Sequence, residues 1–322
     1  MEVNIIGGFL GAGKTTLITQ WMHRKESQGK TPGVIVNDLS NNLVDQQWFL
    51  AQGYLAQAIW GKCVCTSIGA LWETIETLQK QGVEYLFLEP VGSHLDLSQQ
   101  ILPPLLGKDA SIHVLPITVI VDGPRLLQAI DKRKASLQEM MEIQFQGADL
   151  FFVNKCDLLS RTQEKNLRLF LEGTKVPFFF GSAVSPEHVA SFFSWVESND
   201  IDPMGAIHKP ISPTPQNQWN PSGLNWVSMN LSFFGSHETA IHKVWALCKK
   251  LLVQYELGHL KLFLKSEGGW IKVNQTDWDH PPSRQESITH ASRQWKGILN
   301  LRCFAPKAIL SVLRREILHA LR

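Results

Sequence analysis

The sequence predicts an α/β fold, a P-loop NTPase domain built on a doubly wound, mostly parallel sheet and followed by a smaller α+β domain. Three observations predict it. A glycine-rich stretch, GGFLGAGKTT at residues 7–16, follows an apolar run of strand length. Over residues 1–200, short β-rich apolar runs alternate with amphipathic stretches, the pattern of a parallel sheet wrapped by helices. From residue 224 onward the order changes to strand, helix, hairpin, strand and helix.

Taken in order, 3–6, 33–37, 85–88, 112–121, 150–154 and 176–180 read as strands. Helical spacing falls at 14–28, 67–81, 124–146, 161–172 and 186–198. Residues 201–223 are dense in Pro, Asn and Gly and read as a linker between a 1–200 domain and a 224–322 domain. In the second domain, 224–234 reads as a strand, 237–256 as a helix, 259–265 and 269–273 as a hairpin, 297–304 as a strand and 306–321 as a closing helix. The expected arrangement has its helices on one face of an antiparallel sheet, with 274–296 as a polar loop. No internal repeat or low-complexity tract interrupts the chain.

Composition narrows the function classes. At 322 residues, 44% hydrophobic and 19% charged, the chain has the make-up of a globular protein with a substantial core. No run of about 18 apolar residues is present, so no membrane span is expected. A net charge of +2 with scattered Lys and Arg argues against a nucleic-acid partner. The short basic cluster Lys132, Arg133 and Lys134 reads as a solvated helix face. The start of the chain has no signal-peptide pattern, which makes the cytoplasm the expected location. Five cysteines, including the close pair Cys63 and Cys65, suit reduced thiols and a metal site better than a disulfide framework.

The glycine stretch carries the first chemistry. Gly8, Gly13, Lys14 and Thr15 fit G-x-x-x-x-G-K-[ST] between a strand and a helix. Glycine lets backbone amides turn toward phosphate oxygens, and the helix N-terminus adds its dipole. Lys14 reaches the β and γ phosphates, the Thr15 hydroxyl ligates Mg²⁺, and Gly11, Ala12 and Thr16 complete the cradle. A second motif, Asn154-Lys155-x-Asp157, ends an apolar strand. It resembles the guanine-specificity motif of GTPases, in which the carboxylate accepts from the base N1–H and exocyclic amine. Adenine lacks that donor pair. Ser182 and Ala183, after the next strand, are placed to complete the base pocket through backbone amides, with an ordinary turn as the plain alternative. Glu89, at the end of a further apolar strand, suits a Mg²⁺-bound water, and Gly92 a γ-phosphate sensor; a surface Glu and a turn glycine are the plain reading.

GGFLGAGKTT, VNDL, the Cys-x-Cys after a glycine, LEPVG and GADLFFVNKCDL occur in an order and approximate spacing that resemble the CobW family of GTPases. These are relatives of the nickel-maturation GTPases for hydrogenase and urease. The resemblance covers residues 1 to about 200. It implies GTP and GDP binding, slow hydrolysis, and delivery of metal to, or assistance of, a metallocofactor enzyme. Two departures stand out. Asn37-Asp38 replaces the family's Asn-Glu and keeps a carboxylate for the switch or Mg²⁺ shell. The family's Gly-Cys-x-Cys-Cys becomes Gly61-Lys62-Cys63-Val64-Cys65-Thr66.

In an extended segment, Cys63 and Cys65 point the same way and can share Zn²⁺, Co²⁺ or another thiophilic ion, but two ligands do not close a tetrahedral site. Further ligands would come from Asp38, a histidine, a second subunit or a client. The plain alternative is two small thiols packed beside a switch. Cys156, Cys248 and Cys303 read as buried. Asp122 is placed to touch the nucleotide site and His94 to orient water or contact metal, with ordinary turn residues as the plainer reading, while Trp270, Trp278, Trp295, His280 and His290 read equally as a partner groove or as core and loop. Three accounts stay open: a GTP-dependent metallochaperone, with or without homodimerisation; a nucleotide-gated reactivator of a corrinoid or other cofactor enzyme that binds no metal; and a P-loop ATPase or small-molecule kinase.

Overall fold

The structure is a computed structural model that describes residues 1–38, 44–92, 97–106, 111–131, 144–145, 147–198, 225–252, 255, 259–275 and 282–322. The 201–223 linker, Lys132, Arg133, Lys134, His94, Trp278 and His280 lie outside the described residues. The chain forms two compact units, Met1–Leu39 with Gly53–Ser212, and Ser40–Gln52 with Pro213–Arg322.

In the first unit, strands β1 (Glu2–Gly8), β2 (Pro32–Asp38), β3 (Leu55–Trp60), β4 (Tyr85–Glu89), β5 (His113–Val114), β6 (Thr118–Asp122), β7 (Leu150–Asn154) and β8 (Phe178–Phe180) make one parallel sheet. Its order is β3-β2-β4-β1-β6-β7-β8, with β5 pairing the start of β1. The chain passes to one side of β1 for β2 to β4 and to the other for β6 to β8, so a crevice opens at the carboxyl end of β1. The central strands are buried along their length, which is why they read as continuous apolar runs. Helices α1 (Lys14–Ser27), α3 (Ile68–Lys80), α4 (Leu97–Gln100), α5 (Leu102–Leu106), α6 (Gly123–Asp131), α7 (Arg161–Glu172) and α8 (Pro186–Ser198) belong to this unit. Trp21 of α1 packs against Phe87 of β4 and against Phe192 and Phe193 of α8. A reciprocal cap between Ser160 and Gln163 fixes the start of α7.

Three local expectations are corrected. The single strand expected over 112–121 is two, because Pro116 has no amide for a ladder; β5 pairs Glu2 and Val3, and β6 pairs Ile6 to Gly8. Edge strand β3 and the short α2 (Val44–Ala51) are elements that periodicity did not reveal. Of the helix expected over 124–146, the structure describes α6 and residues 144 and 145.

In the second unit, β9 (Asn225–Phe234), β10 (His259–Ser266), β11 (Gly269–Gln275), β12 (Ser283–Ile288) and β13 (Gln294–Cys303) form an antiparallel sheet of order β12-β11-β10-β13-β9. Residues 283–288, expected as part of a polar loop, form edge strand β12. Their sequence, SRQESI, is largely exposed and carries no alternating apolar signal. Helices α9 (His237–Leu252) and α10 (Lys307–Ala320) bury Val244, Cys248, Leu310 and Leu313 against Leu231, Leu262, Leu299 and Leu301.

The opposite face of the sheet carries α2, so helices do not lie on one face alone. Asp45 pairs with Lys261 and, at 3.6 Å, with Lys272. Trp48 meets Trp270 edge to face at 4.7 Å, and the Lys272 ammonium lies 4.5 Å from the Trp48 ring centre. Trp295 is buried, with its indole N–H donating to the Ser292 carbonyl, and His290 sits on an exposed turn.

One surface pair ties α1 to α8. Arg24 Nη2 and Nε reach the two Glu197 oxygens at 2.6 and 3.2 Å. The hydrogen bond from Arg24 holds the Glu197 carboxyl below its usual range. A lowered carboxyl contributes stability above its unfolded pKa and loses it as pH falls through the folded value. At neutral pH, Glu197→Gln should cost ~0.5 kcal/mol in urea unfolding, and the difference from wild type should shrink progressively as pH falls below the ordinary glutamate pKa of about 4.3.

Candidate functional site

The loop between β1 and α1 is shaped by contacts that only glycine permits. Gly8 has φ 132°, and a Cβ there would sit 2.4 Å from the Ile120 carbonyl oxygen. Gly13 has φ 104°, and a Cβ there would meet Asn154 Nδ2 at 2.2 Å. Gly13 supplies no capping side chain to α1, and the first turn contains no acid, so nothing negative competes with an anion at this helix N-terminus. Lys14 folds over the loop, donating to the carbonyls of Gly8 at 3.0 Å and Phe9 at 3.4 Å, with Glu89 Oε1 at 3.7 Å. Lys14, Thr15 and Glu89 are buried, while Gly11, Thr16 and Asp38 are half-buried. The structure therefore brings Lys14 and Glu89 together. Gly92 lies against the same loop, its missing Cβ 3.3 Å from both the Leu10 nitrogen and Lys14 Nζ.

Asn154 joins three loops. Its Nδ2 donates to the Ala12 carbonyl at 2.7 Å, and its Oδ1 accepts from the amides of Lys155 and Ala183 at 2.8 Å each. Ala12 and Ser182 are buried. The Ala183 amide, expected near the base, is engaged in holding its loop to Asn154. Lys155 adopts left-handed geometry at φ 63°, and its ammonium bonds Asp122 Oδ2 at 2.6 Å. Asp157 follows in a short 3₁₀ turn and is exposed.

The cysteine pair stands after β3. Asn37 builds this loop: its Nδ2 donates to the carbonyls of Ile59 at 2.9 Å and Lys62 at 2.8 Å, and its Oδ1 accepts from the Val64 amide at 3.1 Å. The segment is not extended, as its spacing suggested. Val64–Thr66 forms a 3₁₀ turn, and the turn itself brings the two sulfurs to 2.7 Å. The hydrogen bond it shares with Cys65, then burial, pushes the Cys63 thiol above its usual pKa. Thr66 donates its hydroxyl to the Cys63 carbonyl at 2.9 Å. Among the described residues, no group of three or more His, Cys, Asp or Glu side chains is arranged to hold a metal ion. All five cysteines are free thiols; Cys248 and Cys303 are buried, but Cys156 is only half-buried, with His188 Nδ1 4.0 Å from its sulfur.

Sequence reasoning missed several contributors. Asn37 was overlooked as the organiser of the cysteine loop, Asp122 as the partner of Lys155, and Gln144, whose Nε2 donates to the Gly92 carbonyl at 3.1 Å. Asn154-Lys155 at a strand end was a signal that something must anchor Lys155, but Gln144 had no local signature.

Fold and site define a P-loop nucleotide-binding protein. The chain belongs to the family described as CobW/HypB/UreG, nucleotide-binding domain, whose pattern matches residues 2–174. It is 32% identical over 170 residues to the zinc chaperone YeiR of Escherichia coli K12, covering 52% of this chain and 50% of that protein. It is 23% identical over 202 residues to the zinc-regulated GTPase metalloprotein activator 1 of Dictyostelium discoideum, covering 52% and 42%. The chain thus spans about half the length of the curated relatives it matches. Among solved structures, the Zn(II)-bound YjiA GTPase of E. coli aligns over 100% of this chain and 99% of its own, at 16% identity and a TM-score of 0.41. No helix among the described residues is long and apolar enough to cross a membrane.

Replacing Asn37 by alanine should release the turn that pairs the thiols. Expected are a stability loss of about 1–3 kcal/mol and faster reaction of Cys63 and Cys65 with an aromatic disulfide reagent. Unchanged thiol kinetics would contradict the assigned role of Asn37.

Proposed function

We propose that the chain binds GTP and GDP with Mg²⁺, hydrolyses GTP slowly, and uses the two nucleotide states to handle a thiophilic metal for a client protein. The observation that carries this reading is the Asn154 brace between the glycine loop and the Lys155–Asp157 turn. It supports the reading because it ties the glycine loop and the turn that carries Asp157 to one crevice. Gly8, Gly11, Ala12, Gly13, Lys14 and Thr16 hold phosphates, and Lys14 leaves its carbonyl contacts to neutralise the β and γ oxygens. Thr15, Asp38 and Glu89 supply the hydroxyl and carboxylate oxygens that suit Mg²⁺, whose chemistry is to neutralise charge on the phosphates. Gly92, resting on Leu10 and Lys14, reports the γ-phosphate. Asp157 accepts from guanine, Lys155 orders its loop through Asp122, and Ser182 and Ala183 close the base side. Ser93 and His94 follow Gly92, so no glutamine stands in the usual water-positioning place. Slow turnover, raised by a partner, a second subunit or metal loading, follows from that.

Asp157→Asn tests the guanine reading. An amide donates where the carboxylate accepted, so GDP affinity should fall about 100-fold while xanthosine diphosphate gains. An unchanged preference, or ATP competing as well as GTP, would favour the ATPase or kinase reading.

The metal reading rests on Cys63 and Cys65, two converging thiols, and on the zinc named for both curated relatives. An ion held by two thiolates needs ligands from a client or a second copy of the chain, which suits transfer rather than storage. Titration of the reduced protein with Co²⁺ or Zn²⁺, in GDP and in a non-hydrolysable GTP analogue, should show binding that differs between states and is lost in Cys63→Ser/Cys65→Ser. Equal or absent binding would favour a nucleotide-gated reactivator of a cofactor enzyme.

A further inference from the structure

Arg125, on α6, has been given no role in nucleotide binding by the sequence motifs, yet its side chain is directed onto the glycine loop. Its Nη1 donates to the Leu10 carbonyl at 2.5 Å, and its guanidinium lies 5.7 Å from the Phe9 ring centre. Arg125 is only 9% exposed, and Phe9 and Leu10 are buried with it. Among the described residues no carboxylate forms an ion pair with its guanidinium. Its position is itself fixed, because the Arg125 amide donates to Asp122 Oδ1 at 3.1 Å while Asp122 Oδ2 accepts from Lys155. A buried guanidinium spent on a main-chain carbonyl is costly unless the orientation of that peptide matters.

The peptide plane shows why it matters. In a trans peptide the C=O of one residue and the N–H of the next point in opposite directions. Arg125 draws the Leu10 carbonyl to its side, which turns the Gly11 amide the other way. Asn154 does the same to the Ala12 carbonyl, which turns the Gly13 amide. Two side chains, one from α6 and one from the end of β7, therefore pin alternate carbonyls of the loop from outside and leave alternate amides aimed inward.

We propose that Arg125 is a positioning residue for diphosphate recognition: by pinning the Leu10 carbonyl it presents the Gly11 amide to the β-phosphate, and through Asp122 it joins that peptide to the guanine turn. The inference rests on the nucleotide-binding reading above and deepens it. Its distinguishing consequence is selectivity among nucleotides, since GMP lacks the phosphate that the Gly11 amide meets.

The test compares GDP and GMP binding, with Mg²⁺, in wild type, Arg125→Ala and Arg125→Lys, with thermal unfolding as a control. Arg125→Ala should weaken GDP about 10- to 100-fold while changing GMP less than about threefold, and Arg125→Lys should fall between. Methylguanidinium should restore part of the GDP affinity of Arg125→Ala. Equal loss for both nucleotides, or no loss of GDP affinity, would overturn the proposal. If Arg125→Ala does not fold, hydrogen exchange in wild type decides: the Gly11 amide should gain protection with GDP but not with GMP, and equal protection would overturn the proposal. Wild type that binds adenine rather than guanine nucleotides would refute the guanine reading alone; ADP against AMP then tests Arg125 in the same way.

Discussion

The side-chain amide of Asn154 is the interaction on which the candidate site depends. It donates to the loop after β1 through the Ala12 carbonyl and accepts from the amides of Lys155 and Ala183, which begin the other two loops. The task requires a donor and an acceptor on one short side chain. Aspartate would set a carboxylate oxygen against the Ala12 carbonyl, and leucine would leave three backbone groups, two of them buried, without this partner. The same contact explains Gly13, whose Cβ would occupy the space of Asn154 Nδ2. One amide thus sets the distance between the glycine loop and the Lys155–Asp157 turn.

Around that brace, the supporting residues come from strand ends of one parallel sheet and from the connections between its strands. Asp122 at the end of β6 divides its oxygens between Lys155 and the start of α6. Gln144 holds the Gly92 carbonyl, and Asn37 at the end of β2 folds the cysteine turn. All are short polar side chains at carboxyl ends of strands or in the connections that follow, where an open α/β sheet gathers its ligand-facing loops. The second unit follows a different rule. Its antiparallel sheet buries leucines under α9 and α10 on one face, and on the other holds α2, a helix encoded between β2 and β3, through Asp45 and Trp48.

Much of this was legible in the sequence because some residue types are dictated by backbone geometry. Glycines with positive φ, a lysine and a threonine opening a helix, and Asn-Lys-x-Asp ending an apolar strand leave few alternatives. Central strands were legible from their unbroken apolar runs. The edge strands β3 and β12 were not, since exposure dilutes the apolar signal. The eight-residue α2 was missed because its anchors, Lys261, Lys272 and Trp270, lie about two hundred residues away. The cysteine pair was found, but its geometry was misjudged: a 3₁₀ turn braced by Asn37 aligns the sulfurs, not an extended strand.

Hydrogen exchange of the wild-type chain, with and without GDP and Mg²⁺, tests the central claim most directly. If Asn154 unites the three loops, the amides of 9–16, 155–158 and 183–185 should gain protection together, and Asn154→Ala should restrict the gain to 9–16. Protection of 9–16 alone in wild type would contradict the account.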